Sequence, residues 1–364
     1  MKKSFKKIIL LMMLISTSSF SVSITNKYPS YAYVFAEFDV DEAYIYNRDF
    51  ELFVLHNEKK IKAFYKRSLI RGTDILSMMK GYLMDDGLSD LFIYLSMVES
   101  GFSSAIVSPK KAVGLWQFMP ATAKHYNLSI CNSFDERCDP VSSTNAAINY
   151  LNKLHRKFGK WYLAAIAYNC GEGRLKKAIK KAGSDELSIL VNNRDKYLPL
   201  ETREYIKKIL LVAMIGENAI LDFSPEQYLS TKNLLQVKVM GGTNLRELSK
   251  SIKMKPSQLL SLNKQFKEGM VPKDKRIYDL TIPENKMILF YLRYEFQEEK
   301  KSINSHLLSH YVRLGDTLES IAKQYRTSAE EIQAANHLNN DFLILDTLLV
   351  IPVSQELFEK VLKE

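Results

Sequence analysis

Glu99 stands at the end of an apolar run in which Leu91, Phe92, Leu95 and Val98 share one helical face, and Ser100-Gly101 follows it. A glutamate in water is ionised at neutral pH and has no proton to give. Apolar surroundings disfavour the charged form, and a carboxyl kept protonated in that way can act as a general acid, as on the leaving oxygen of a glycosidic bond. Phe102 lies just beyond the glutamate, and Leu115-Trp116-Gln117-Phe118 offers apolar and polar groups to wall a cleft. Taken alone, a glutamate at a helix end is usually a surface residue, so the case depends on its neighbours. Hydrolysing glycosidases need a second carboxylate. Asp135, Glu136 and Asp139 are available, but in sequence they look like a loop and a helix cap.

Helices must position that carboxyl. From Glu42 to Lys80 the residues Tyr46, Phe50, Phe53, Val54, Phe64 and Leu69 recur mostly at three- and four-residue steps, which predicts helix. Leu88 to Val98 predicts a second helix, with Gly101 as its exit. Gly101 to Pro140 reads as loops with short helical turns. Asp139-Pro140 opens a helix running to Gly159, Trp161 to about Asn169 forms another, a third follows Gly171 to Gly183, and a fourth spans roughly Thr202 to Asn218.

Beyond Phe223 the pattern changes to short apolar strands around helix-like stretches, with a weak internal repeat. His310 to Val353 reads as strand, helix, helix, strand, and Val237 to Pro283 is a degenerate copy with Gly242 in place of Asp316. Gly241 to Asn263 is 22 residues, and Gly315 to Asn336 is 21. The fold class expected is mainly α: a helical catalytic domain followed by small α+β (βααβ) modules. Its parts are a signal peptide at 1–21, an N-terminal helical extension at 22–87, the helical domain at 88–221, the degenerate module and linker at 222–300, and a second module at 301–364 with its core at 310–353.

Composition narrows the function classes less than the motifs do. The chain has 364 residues, 46% hydrophobic and 25% charged, which is ordinary globular content sufficient for two or three units. Its 51 basic and 41 acidic residues leave a formal charge of +10, which suits an anionic polymer without identifying one. Lysines 2, 3, 6 and 7 precede the apolar run Ile8 to Ile15, the pattern of an exported protein's signal, with a cleavage site near Ser19 to Ser23. That run is too short to span a bilayer comfortably, and the first cysteine is Cys131, so a lipid anchor is not expected. In an oxidising compartment Cys131 and Cys138 are spaced to close a small disulfide loop, leaving Cys170 odd; three unbridged thiols are the alternative. Paired CxxC or HExxH spacing is absent from the sequence, so no metal site is expected.

Three motifs then fall in one order. Glu99-Ser100-Gly101-Phe102, with Ser108 and Gly114-Leu115-Trp116-Gln117-Phe118-Met119-Pro120, resembles the signature of lytic transglycosylases with a goose-type-lysozyme-like domain. Ala167-Tyr168-Asn169-Cys170-Gly171 resembles that family's second motif, and Leu198-Pro199-Leu200-Glu201-Thr202-Arg203-Glu204-Tyr205 its third. Among subfamilies the arrangement is most similar to membrane-bound lytic murein transglycosylase D, since His310 to Val353 resembles a LysM module through Gly315-Asp316-Thr317-Leu318, Asn336 and Ile351-Pro352.

The resemblance implies a lysozyme-like fold in which Glu99 is the catalytic acid and base, cleaving the β-1,4 bond between MurNAc and GlcNAc to leave 1,6-anhydro-MurNAc ends. It implies substrate contacts from Ser108, Gln117, Tyr168, Asn169 and Tyr205, the last aiming its hydroxyl at the carboxyl. It also implies glycan contacts from Gly315, Asp316, Thr317 and the 342–345 loop. The partner implied is the peptidoglycan strand, whose lactyl and stem-peptide carboxylates match the basic charge. No cofactor and no nucleic acid is implied; peripheral association with the envelope membrane and the oligomeric state stay open. A hydrolytic lysozyme on the same scaffold and a noncatalytic LysM wall-binding protein are the alternatives, and the intact Glu99 motif argues against the second.

Overall fold

The computed structural model describes residues 24–218, 234–274, 276–294, 305–336, 338 and 340–361. The expected signal peptide and the Glu298 to Ser302 linker lie outside them. The chain divides into two compact units, which part between Asn233 and Leu234.

The first unit is helical. Helix α1 (Tyr31–Glu37) is followed by the long α2 (Arg48–Gly72), whose cap Asn47 accepts hydrogen bonds from the Asp49 and Phe50 amides. α2 buries Phe50, Val54, Ile61, Tyr65 and Leu69 along one face, the stripe its sequence period requires. Then come α3 (Leu76–Asp85), α4 (Ile93–Ser100), the short α5 (Pro120–His125) and α6 (Pro140–Phe158). Asp139 caps α6, accepting from the Val141 and Ser142 amides, with Pro140 in its first turn. α7 (Trp161–Cys170), α8 (Glu172–Ala182), α9 (Leu187–Leu190) and α10 (Leu200–Gly216) complete the unit. From Ile209 to Gly216 every residue of α10 is buried, so this helix runs through the core, packed on α1, α2, α4 and α7. Its last residue must be glycine, because a side chain at Gly216 would collide with the buried Tyr94 ring, whose hydroxyl donates to Glu217 at 2.5 Å.

Two sequence expectations are corrected here. Leu115, Trp116 and Phe118 do not wall a cleft. They lie in the core, where Trp116 Nε1 donates to Thr144 Oγ1 at 3.0 Å, and of the four only Gln117 reaches the cleft. Burial of three large apolar side chains outweighs whatever a surface position would offer them. Cys131 and Cys138 are not joined by a disulfide: Cys131 is exposed beside Ser133, while Cys138 is buried. Hydrogen bonds close the loop instead, with Glu136 accepting from the Ser129 amide at 2.5 Å and the Glu136 amide donating back to the Ser129 carbonyl at 3.0 Å. Arg137, paired with Asp135 at 2.7 Å, ties this loop to the carbonyls of Lys111 and Phe118. The three acidic residues of this loop are thus engaged in structural contacts.

The second unit holds two copies of one small motif. Strand β1 (Leu234–Met240), α11 (Leu245–Ser251), α12 (Pro256–Leu262) and β2 (Ile277–Pro283) form the first, its strands antiparallel from Leu234 opposite Pro283 to Met240 opposite Ile277. Helix α13 (Met287–Arg293) follows. Strand β3 (Ser305–Tyr311), α14 (Leu318–Tyr325), α15 (Ala329–Asn336) and β4 (Leu348–Ser354) form the second, paired from Ser305 opposite Ser354 to Tyr311 opposite Leu348, and α16 (Gln355–Val361) follows. The repeat is one of physics as well as pattern. Asn263 donates to the Thr281 carbonyl and accepts from its amide at 2.7 and 2.8 Å, and Asn336 does the same to Val350 at the same two distances. One side-chain amide in each copy stands in for a peptide group and ties the second helix to the last strand.

Candidate active site

Glu99 sits on the last turn of α4, and the turn after it is clamped. Gly101 takes the left-handed conformation (φ 58°), and the Arg71 guanidinium of α2 donates to its carbonyl at 2.6 Å. Ser96 Oγ, one turn earlier, donates to the Leu115 carbonyl at 3.0 Å and anchors α4 to the 112–119 loop. Gly114 in that loop has φ 87° and passes so near the Arg137 carbonyl that no side chain fits there.

The carboxyl opens into a cleft of about 720 Å³. All six of the catalytic-domain residues singled out in the sequence line it: Glu99, Ser108, Gln117, Tyr168, Asn169 and Tyr205. The buried Tyr205 hydroxyl donates to Glu99 Oε1 at 2.6 Å. Withdrawal of the carboxyl from water pushes the Glu99 pKa up to about 7, against the Tyr205 hydrogen bond and the Lys208 charge, which both favour ionisation. A carboxyl in this state is half protonated at neutral pH and can both give and take a proton.

The other residues are more committed than their types suggest. Tyr168 donates its hydroxyl to the Trp116 carbonyl at 2.7 Å, and its ring lies 5.1 Å from that of Tyr150. Asn169 Oδ1 accepts from Thr202 Oγ1 at 2.8 Å, which leaves its amide nitrogen as the donor toward the cleft. Ser108 Oγ accepts from the Ala112 amide at 3.0 Å. Gln117 has a positive φ of 48° and donates to the Gly114 carbonyl at 2.9 Å.

The sequence reading missed an entire wall. Phe53, Asn57, Lys60, Ile61, Phe64 and Arg67 of α2 line the cleft, and Lys208 of α10 sets its ammonium over the Phe64 ring, 4.4 Å from the centroid. The signal was present: Phe53, Asn57, Lys60, Phe64 and Arg67 recur at helical spacing and mix aromatic with polar residues, whereas Phe50, Val54, Tyr65 and Leu69 mark the face that α2 turns to the core. Glu201 and Glu204 also line the cleft, and Glu201 pairs with Lys110 at 3.6 Å on an exposed rim.

In the second unit, Asp316 accepts from the Arg313 amide at 2.7 Å and meets His310 Nε2 at 2.9 Å. Thr317 caps α14 through a reciprocal pair with Ser320. Both side chains are therefore occupied in shaping the loop, and Gly315 supplies its positive φ of 94°. Phe342, Ile344 and Leu345 are exposed on the adjoining loop. In the first copy, where Gly242 replaces the aspartate, the Tyr294 hydroxyl takes over, bonding the Met240 amide at 2.6 Å and Thr243 Oγ1 at 2.7 Å.

Residues 80–190 match the transglycosylase SLT domain family, and residues 310–352 match the LysM domain family. The chain carries an SLT domain and a LysM domain. Over 305 residues it is 29% identical to the membrane-bound lytic murein transglycosylase D of Escherichia coli K12, an alignment covering 78% of this chain and 64% of that relative. It is 31% identical over 119 residues to the soluble lytic murein transglycosylase of Escherichia coli K12, covering 31% of this chain and 18% of that one. Against the peptidoglycan transglycosylase gp16 of Escherichia phage T7 it is 34% identical over 126 residues, covering 34% and 9%. The chain thus spans a little under two thirds of the length of the first of these relatives. The SLT match contains Glu99, Ser108, Gln117, Tyr168 and Asn169, while the α2 wall, Tyr205 and Lys208 lie outside it.

Proposed function

We propose that this protein is a peptidoglycan lytic transglycosylase, with Glu99 as its one acid and base. The observation that carries the reading is the Glu99 carboxyl, pushed to about 7 by burial and held by Tyr205 at the wall of an open cleft within an SLT domain. Glu99 gives its proton to the oxygen joining MurNAc C1 to GlcNAc C4, and the C1–O bond breaks with GlcNAc leaving as the alcohol. The N-acetyl group of the same MurNAc stabilises C1. The carboxylate then takes the proton of the MurNAc C6 hydroxyl as that oxygen bonds C1, closing a 1,6-anhydro ring and restoring the acid. Tyr205 keeps the carboxyl oriented through both transfers. In this reading the Asn169 amide and the Ser108 and Gln117 side chains bind the sugar's acetamido and hydroxyl groups, which their position along the cleft supports, and Tyr168 offers its ring, since its hydroxyl is engaged.

The lysine-flanked apolar N-terminus supports export to the periplasm, where the LysM domain would hold the enzyme on the wall. Among the described residues no helix is long and apolar enough to cross a membrane. The hydrolytic alternative has one supporting observation: the Glu201 charge is near enough to raise the Glu99 pKa. Its exposure and its pairing with Lys110 count against a role as second carboxylate. Mass spectrometry of muropeptides released by the purified protein separates the two. Anhydro ends, lighter than hydrolysed reducing ends by one water (~18 mass units), are expected because no water adds across the bond. Reducing ends would show a lysozyme. A Glu99→Gln protein should lose at least about 10² to 10⁴ of the rate, and near wild-type turnover by that variant would refute the role of Glu99.

A further inference from the structure

We infer that Lys208 recognises a carboxylate carried by the glycan strand, seating an anionic substituent of the substrate against the α2 wall beside Glu99; this rests on the peptidoglycan reading above. Lys208 follows Tyr205 by three residues on α10, so both face the cleft from one side of the helix. Its ammonium lies on the face of Phe64 and is half-buried, and burial pushes its pKa down. A partly desolvated ammonium is stabilised by an anion, and the contacts of Lys208 among the described residues are the Phe64 ring and the charge of Glu99, with no salt bridge. Glu99 is near enough for its ionised form to favour the Lys208 charge, but burial keeps that carboxyl half protonated at neutral pH and uncharged whenever it is poised to give its proton, so it is no standing counterion. Glu201 is paired with Lys110 instead. Exposed Lys60 is near enough for its charge to act on Lys208, and exposed Arg67 lines the same cleft, so basic groups gather at the α2 wall while Glu201 and Glu204 are the acidic residues of the lining beyond Glu99. A neutral chain of N-acetylglucosamine offers nothing to this group, whereas peptidoglycan offers the lactyl carboxylate of bare strands or the stem-peptide carboxylates of decorated ones.

The test is binding to the full chain carrying Glu99→Gln, which halts turnover, with and without Lys208→Met, which keeps the aliphatic contact with Phe64. Three probes are titrated: a chitooligosaccharide without carboxylates, peptide-free glycan oligomers with lactyl carboxylates, and oligomers bearing stem peptides. Lys208→Met is expected to weaken one or both anionic probes about ten- to hundredfold and to leave the chitooligosaccharide unchanged. The anionic probe that loses more identifies the source, and Lys208→Arg should retain most of the affinity. Equal losses on all three probes, or no loss on any, overturn the assignment of Lys208 while leaving the peptidoglycan reading intact. If the Glu99→Gln parent binds none of them, both readings fall.

Discussion

At the scale of single residues, Glu99 is poised by opposed influences. Burial disfavours its charge, while the Tyr205 hydroxyl and the Lys208 ammonium favour it, and burial wins. Tyr205→Phe removes a donor to the ionised form, so the Glu99 pKa should rise further and the alkaline limb of the pH–rate profile should move to higher pH, with turnover reduced about tenfold by lost positioning. A loss of rate with an unmoved limb would make Tyr205 a packing residue only. The same balance touches stability. A raised carboxyl pKa means the folded state keeps its proton at pH values where the unfolded chain has released it. That contribution is fully present below about 4.5 and is lost as pH rises through about 7. Glu99→Gln cannot titrate, so its stability relative to the wild type should improve from pH 5 to pH 8 by on the order of 2 kcal/mol. Denaturant titrations at the two pH values measure this, and a pH-independent difference would mean the carboxyl is more solvated than its surroundings suggest.

At the scale of elements, α2, α4 and α10 meet to make the site, and each does a separate job. α4 carries Glu99, the proposed acid, α2 clamps the turn behind it through Arg71 and walls the cleft, and α10 brings Tyr205 and Lys208 from more than a hundred residues away. The register of α10 is fixed at its far end by the contact of Gly216 with the Tyr94 ring. Gly216→Ala should therefore destabilise the unit by about 1 to 3 kcal/mol, despite alanine's better helix propensity, because the Tyr94 ring is enclosed on all sides and cannot swing away. Thermal unfolding of the variant checks it, and a neutral or stabilised protein would show that Tyr94 can yield. The helices themselves were legible from period and caps: Asp139, Gly101 and Gly159 stand in the roles their types predict. The cleft face of α2 was harder to read, because a helix with two useful faces shows only its apolar one to a hydrophobic count.

For the whole molecule, the division between Asn233 and Leu234 puts the cleft in one compact unit and the two βααβ copies in the other. Each copy has its own sheet and its own asparagine tie, so the second unit needs nothing from the first to close its core. Deleting residues 234–364 should weaken co-sedimentation with insoluble peptidoglycan while leaving the turnover of short soluble strands unchanged. Equal sedimentation of the full and shortened proteins would reduce the second unit to a spacer. The two copies differ in a way that bears on this. In the second, Asp316 and Thr317 build the loop and the exposed Phe342, Ile344 and Leu345 stand beside it; in the first, Tyr294 fills the corresponding place.

Local rules, read along the chain, were enough for whatever depends on near neighbours in sequence. Apolar periods and capping residues set the helices, the spacing from glycine to asparagine revealed the repeat, and motif spacing singled out the residues that meet in the cleft. Tertiary structure decided whatever depends on which distant surfaces meet. It took Leu115, Trp116 and Phe118 into the core, because burial of large apolar groups overrides any local case for a cleft wall. It closed the 129–136 loop with hydrogen bonds instead of a disulfide, because Cys131 and Cys138 lie in opposite environments. It also brought α2 across the acid and set Lys208 over Phe64, since no sequence period records which helix will lie opposite another. The proton on Glu99 belongs to this second class, because desolvation is a property of the assembled cleft and not of the glutamate.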